Sequence, residues 1–223
     1  MDISAFRKVA EAPELLDPGL VSKYYGSYGE ARRLFNEEPG IIFLDEGFHT
    51  LSLKNGAHLK VYSSPYTPSL GNWGFQCNPQ HGHEFSIHDA DVVMTHGPPR
   101  GIMGYTYSSQ RGGCPNVFEV VARTRPQMHC FGYIHEGWGA KLVTWHPKAS
   151  AKHTHLTDID NGKSTYQENI MPVSTTAYFT GDTHQLKRGS SQTFFVNCAI
   201  ENANGIPTQQ PWLVDLDLPV VPK

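Results

Sequence analysis

Apolar positions along the chain fall into two textures. Through residue 40 they recur at helical spacing. Asp2 or Ser4 can cap a first helix through Phe6, Val9, Ala10 and Leu15, which Pro13 interrupts because its ring removes a backbone donor. Asp17-Pro18 opens a second short helix, and Gly29–Asn36 reads as a third, with Tyr24, Tyr25, Tyr28 and Phe35 forming an aromatic side. From Ile41 the texture turns to strands, beginning with the apolar run Ile41–Leu44. His49–Leu53 and Ala57–Tyr62 flank Asn55-Gly56, a pair suited to a type I′ hairpin because both central positions need positive φ. A loop rich in Pro, Gly and aromatics runs from Ser63 to Ile87. Asp91–Thr95 reads as a buried strand stopped by Gly-Pro-Pro, and Cys114–Thr124 as a helix with Val117, Val120 and Val121 on one stripe. Gln127–Gly132, Gly139–Trp145, Thr193–Ala199 and Trp212–Leu216 read as further strands. Strand, helix, strand order predicts an α/β fold, in which sites lie beyond the carboxyl ends of the strands.

Composition narrows the class. The chain has 223 residues, 39% hydrophobic and 17% charged, which supplies a core and is too little charge for a disordered chain. The expectation is one domain over 1–223, made of a helical segment 1–40 and an αβ core 41–223. The net charge is −3, and no Lys/Arg run exceeds Arg32-Arg33, so nothing points to nucleic acid or an acidic membrane as partner. No apolar stretch approaches the ~20 residues of a membrane helix, and Met1–Glu14 lacks the apolar centre of a secretory signal. Cys77, Cys114, Cys130 and Cys198 are far apart and form no C-x-x-C pair, which points to reduced structural thiols and a cytoplasmic location.

Candidate chemistry concentrates in two turns. Thr95-His96-Gly97-Pro98-Pro99-Arg100 follows one strand, and Gly132-Tyr133-Ile134-His135-Glu136-Gly137 follows another. Each puts a histidine within two residues of a glycine, where the backbone can approach a ligand or ion closely. Arg100 can recognise an anion or carbonyl with its planar fork, or simply tie down its loop. Glu136 can orient His135, act as an acid or base, or serve as a turn carboxylate. Tyr62, Tyr66, Trp73 and Phe75, with Trp138, can wall a pocket for an organic ligand or fill a core. His81 and His83, like His153 and His155, alternate along the chain, but each pair needs a third ligand to hold a metal; solvent-facing loop histidines are the simpler reading. His129 and Cys130 read as packing within their strand.

These turns resemble the calcineurin-like metallophosphoesterases, in particular a small fungal and animal branch with T-H-G-P-P and F-G-H-I-H-E-G turns. The resemblance runs from about Tyr28 onward and includes Tyr62-Ser63-Ser64-Pro65-Tyr66-Thr67-Pro68, Gly113-Cys114, Phe195-Val196-Asn197 and Pro211-Trp212-Leu213. It implies a β-sandwich flanked by helices, here truncated at the N-terminal side. Members of that family build a two-metal centre from Asp-x-His, Gly-Asp, Gly-Asn-His, a lone His and Gly-His-x-His. The chain has no counterpart of the first three. His96 matches the lone histidine, Tyr133 replaces the first histidine of the last block, and His135 keeps the second. Two histidines carry no charge to offset two dications, so the expectation is no metal and no cofactor; if any metal is held, His96 and His135 hold it, with Glu136, Asp182 or His81 as recruits.

Four functions follow as expectations. The favoured one is a metal-independent enzyme on a small organic molecule, of lyase, isomerase or cyclase type, in a setting such as fungal natural-product biosynthesis. His96, Tyr133 and His135 would then be hydrogen-bond donors or proton-transfer groups, supported by Arg100 and Glu136. The alternatives are a non-catalytic pseudo-phosphoesterase that binds a ligand or nucleotide, a weak single-metal phosphoesterase, and a fragment of a longer product, against which the Met start argues mildly. Loss of central strands would bare a sheet edge or face, so a homodimer is expected, which light scattering at micromolar concentration reads directly.

Overall fold

A computed structural model of the chain describes residues 17–27, 29–71, 74–148, 151–167, 177–178, 186, 188–202 and 204–220. In chain order its elements are α1 (Pro18–Tyr25), α2 (Glu30–Glu37), β1 (Gly47–Ser52), β2 (His58–Ser64), β3 (Thr67–Pro68), β4 (Gln76–Cys77), β5 (Val92–Thr95), α3 (Pro115–Thr124), β6 (Met128–Phe131), β7 (Gly139–Thr144), β8 (Thr165–Gln167), β9 (Ala177–Tyr178), β10 (Gln192–Asn197) and β11 (Trp212–Leu213). They divide between two compact units: residues up to Asp45 with Tyr66–His83, and Glu46–Pro65 with the chain from Glu84 onward.

In the first unit, α1 starts where the sequence predicts. Asp17 caps it by accepting from the Gly19 and Leu20 amides, Pro18 occupies the first turn, and Gly26 ends it at φ 77°. The helix expected before Pro13 lies outside the described residues. The apolar run 41–44 is not a strand. Phe43 instead meets the Phe35 ring at 5.9 Å and the Arg32 guanidinium at 5.2 Å, so α2 has claimed the run, while Ile42 stays 67% exposed. β3 and β4 pair in parallel, Thr67 with Gln76 and Pro68 with Cys77.

The second unit is α/β, as the strand–helix alternation predicts. Its sheet has seven strands in the order β1-β2-β5-β6-β10-β7-β8. β2, β5, β6 and β10 run parallel, β1 is antiparallel to β2, β7 to β10, and β8 to β7. Strands buried on both faces need continuous apolar runs, and Val92-Val93 and Phe194-Phe195-Val196 supply them. One face takes α3, the crossover between β5 and β6, which buries Val117, Phe118, Val120 and Val121. There Trp145 lies 6.0 Å from both Phe118 and Phe195. On the opposite face Phe194, Val196, Ala140 and Leu186 cluster, and Trp212 and Val214 pack against them, giving a sandwich-like layering.

Two details differ from the sequence reading. The β1–β2 connection is not type I′. Gly56 donates to the Leu53 carbonyl at 2.9 Å, Leu53 donates to that of Ala57 at 2.9 Å, and only Gly56 has positive φ (84°). This is a type I turn closed by a glycine bulge; the Asn55 side chain stabilises it by accepting from the Ala57 amide at 3.1 Å. Asp91, read as the first strand residue, is a buried anchor just before β5. It accepts from the Lys60 amide (2.9 Å), the Gln127 amide group (3.1 Å) and Arg188 Nε (2.9 Å), which fixes the amino ends of β2, β5 and β6.

Candidate active site

Parallel strands β5, β6 and β10 end side by side, so the turns that follow them gather at one edge of the sheet. Backbone bonds knit these turns together: His96 donates to Ser64 (3.2 Å), Gly132 to His96 (3.0 Å) and Cys198 to Phe131 (2.7 Å). Because register fixes where each strand stops, the sequence positions His96 and Tyr133 become neighbours, with ring centroids 4.9 Å apart and planes tilted by 47°. The part of the His96 ring turned from water pushes its pKa below the ordinary imidazole value.

Tyr133 sits at φ 68° and is 51% exposed. Ile134 donates across it to the Gly132 carbonyl at 2.8 Å, closing a three-residue γ-turn. For a bulky side chain that backbone costs about 1–2 kcal/mol, so something must hold it. Asn197, fully buried at the end of β10, does so. Its amide donates to the Ile134 carbonyl (2.9 Å) and, more distantly, to that of Met103 (3.4 Å), while its Oδ1 accepts from the Ala199 amide (3.0 Å). One side chain thus clamps all three turns. Gly137 completes the fit, since a Cβ there would stand 1.9 Å from the Met103 carbonyl oxygen.

Beneath the His96 turn lies His129, fully buried in β6 as its strand reading predicts. The Thr95 hydroxyl donates to the Gly97 carbonyl at 2.7 Å, so its oxygen receives Nε2–H from His129 at 2.9 Å. His129 is therefore the neutral Nε2–H tautomer, leaving Nδ1 without a partner among the described residues. Burial pushes its pKa down to about 3. This chain of bonds sets the Thr95-His96-Gly97 backbone from below.

The other candidate residues are dispersed. His135 opens a 3₁₀ turn through Gly137; its Nδ1 is 3.9 Å from Glu201 Oε2, too far for a hydrogen bond, and Gln209 holds its carbonyl at 3.1 Å. The Glu136 carboxylate accepts from the Tyr107 amide at 3.1 Å, and that bond foremost lowers its pKa. Trp138 donates its indole N–H to the Gln210 carbonyl at 3.0 Å and lies 5.6 Å from the Trp212 ring. Glu136 and Trp138 line a cavity of about 450 Å³ with Met103, Tyr105 and Tyr166; His96, Tyr133 and His135 are not among its lining residues. Arg100 is exposed, its amide bonded to the Cys114 carbonyl at 3.0 Å, and its charge acts on His155. Tyr62 is corrected from pocket wall to core: it is 2% exposed, edge-on to Phe48 at 5.3 Å, and burial raises its pKa to about 12. Tyr66 and Phe75 belong to the first unit, edge-to-face at 5.7 Å, with Tyr66 stacked on His83 at 4.0 Å. Trp73 and Asp182 lie outside the described residues.

Among the described residues, no three His, Cys, Asp or Glu side chains converge as metal ligands. That donor set does not fit a two-metal centre. His153 bonds Asp158 (2.9 Å) and His155 meets Arg111 (3.4 Å), so this alternating pair splits between partners. Two thiols that look unrelated in sequence meet at the same edge: Cys130 hydrogen-bonds Cys198, which lowers the Cys198 thiol and raises that of Cys130. No helix among the described residues is long and apolar enough to cross a membrane.

No protein-family model matches the chain. It is 32% identical over 127 residues to "Probable rhamnogalacturonate lyase C" of Emericella nidulans, covering 56% of this chain and 12% of that protein. It is 36% identical over 86 residues to UPF0046 protein T07D4.2 of Caenorhabditis elegans, and 35% identical over 88 residues to metallophosphoesterase domain-containing protein 1 of Homo sapiens, covering 36% of this chain in each case. The chain spans 22% and 26% of those two relatives. Over part of its length, then, the chain has a distant metallophosphoesterase-like relationship.

Proposed function

We propose that this chain acts on a small organic molecule by acid–base and positioning chemistry, on a metallophosphoesterase-like scaffold that no longer assembles two metals. The observation that carries this reading is the His96–Tyr133 contact at the carboxyl edge of the sheet. An imidazole able to take a proton and a phenol able to give one are both exposed there. Tyr133 is kept in an unfavourable backbone state by a buried clamp, and such retained strain clusters at functional sites. A positioned acid–base pair contributes typically ~10²–10⁴-fold. Orientation of a flexible substrate supplies up to ~7–11 kcal/mol of a barrier, enough for an elimination, isomerisation or cyclisation. One relative's name contains the word lyase, which supports the elimination form of the proposal.

The test is turnover by the chelator-stripped chain. Wild type and His96→Gln are incubated with a panel of carboxylate- and carbonyl-bearing compounds, and products are followed by mass spectrometry. Product formation that survives the chelator and falls at least ~10²-fold in His96→Gln is expected, as for loss of one acid–base group. Turnover that appears only on adding a divalent metal contradicts the proposal. A second reading, a binding protein without turnover, draws on Glu136: its carboxylate is occupied by the Tyr107 amide rather than free to move a proton. Saturable ligand binding with no product anywhere in the panel would select it.

A further inference from the structure

We infer that a second cavity, built around Lys141, binds the anionic group of a small organic molecule. The cavity measures about 450 Å³, and Met103, Tyr105, Arg111, Lys141, His155 and Tyr166 are among its walls. Lys141 comes from β7 and is 8% exposed. Among the described residues no carboxylate meets its ammonium, whose neighbour is the Tyr166 ring, 4.7 Å from the centroid. An ammonium partly shielded from water without a counter-charge is disfavoured, and at the wall of a cleft a ligand can supply the missing charge.

The surroundings point the same way. Arg111 Nη1 reaches His155 Nε2 at 3.4 Å, so the imidazole accepts and is neutral there. His155 is held below the ordinary imidazole value, first by burial and then by the charges of Arg111 and Arg100. The nearby acids are engaged elsewhere: Asp158 with His153 at 2.9 Å, Asp160 with Lys163 at 3.5 Å, and Glu136 with the Tyr107 amide. The seat of His155 is made by Gly101, where φ is +84° and an added Cβ would stand 2.2 Å from His155 Cγ. Two basic side chains, Lys141 and Arg111, therefore face a cleft whose walls are aromatic and aliphatic. That combination selects a carboxylate or phosphate ester on an apolar body over a bare inorganic ion. The inference is independent of any chemistry at His96, because it concerns binding alone.

The experiment is calorimetric titration of the full chain with phenyl phosphate, benzoate, inorganic phosphate and, as a cation of matching shape, benzamidine. The expected result is one site per chain for phenyl phosphate or benzoate, weaker inorganic phosphate and no benzamidine signal; the tighter of the two organic anions names the charge class. Lys141→Met is expected to weaken binding about tenfold or more, the scale of one charged hydrogen bond, and to raise Tm, because a buried unpaired charge is gone. Lys141→Arg retains binding within a few fold, and Arg111→Gln, at an exposed position, weakens it without unfolding the chain. The inference is overturned if neither organic anion saturates, if inorganic phosphate binds as tightly, if benzamidine binds comparably, or if Lys141→Met binds like wild type or melts lower.

Discussion

Replacing Asn197 by alanine is expected to destabilise the chain by about 3 kcal/mol and to lower Tm by roughly 10 °C. The reason is the number of buried groups the side chain serves. Its removal leaves the buried Ala199 amide without a partner, and leaves the Ile134 carbonyl with only the bond from the Gly137 amide (3.1 Å). An orphaned buried amide costs about 1–3 kcal/mol and the lost bond to a carbonyl that keeps another donor about 1 kcal/mol, and in a chain of this size 1 kcal/mol moves Tm by about 2–4 °C. The γ-turn at Tyr133 would also lose its restraint, so the ring contact with His96 should loosen. Asn197→Asp should be no better, because a carboxylate oxygen would face the Ile134 carbonyl that now accepts a hydrogen bond. Urea unfolding read by tryptophan fluorescence measures this. A loss below about 1 kcal/mol for Asn197→Ala would mean that the turns hold themselves, since a single neutral hydrogen bond is worth about that much.

Stability is also expected to fall steeply on mild acidification, and His129 is the cause. Its pKa in the folded chain is about 3, against about 6.5 when unfolded. The folded-state value is the depressed one. The unfolded chain therefore takes up a proton first, and folding stability, complete above pH ~6.5, drains away as pH falls toward the folded-state value. At about 1.36 kcal/mol per pH unit this amounts to about 2 kcal/mol by pH 5, on the order of 5 kcal/mol in full. The protonated ring cannot be rescued locally: Thr95 already takes the Nε2 proton, and among the described residues Nδ1 faces no acceptor. His129→Gln keeps a donor toward Thr95 but does not titrate. Denaturant midpoints at pH 7.5 and pH 5 should therefore separate widely in wild type and much less in this variant. Equal losses in both proteins would place the acid-sensitive group elsewhere.

How much of this was legible follows from what each feature depends on. The parallel strands and α3 are written locally, in apolar runs such as Val92-Val93 and Phe194-Phe195-Val196 and in the spacing of Val117, Val120 and Val121, so the α/β reading holds in the second unit. Burial of His129 was readable from its place inside a strand. The run 41–44 was misread because its apolar residues pack beside α2, and strand periodicity cannot tell a strand from a segment captured by a helix. The type I′ turn failed because Asn55-Gly56 also suits a type I turn with a glycine bulge, and only the flanking bonds decide between them. At the edge of the sheet, the two turns named in sequence do meet. What joins them does not show in sequence: Asn197 is one polar residue at the end of an apolar strand, flagged only by the Phe195-Val196-Asn197 match. Lys141 gives even less signal, since a lysine in a strand reads as a solvent-facing position until its burial is seen. Aromatics serve cores and cavities alike, so sequence leaves Tyr62 open between the two, and its burial against Phe48 puts it in the core.

Metal stoichiometry addresses the reading of the His96 edge most directly. The 223-residue chain would be purified without chelator, dialysed against manganese, and assayed by elemental mass spectrometry alongside hydrolysis of bis(p-nitrophenyl) phosphate. The expected result is under about 0.1 ion per chain and no metal-dependent hydrolysis, because two-metal catalysis needs a clamped pair of ions that the described side chains do not assemble. One ion or more per chain, with hydrolysis that vanishes in His96→Ala, would contradict it and restore phosphoester chemistry to this site.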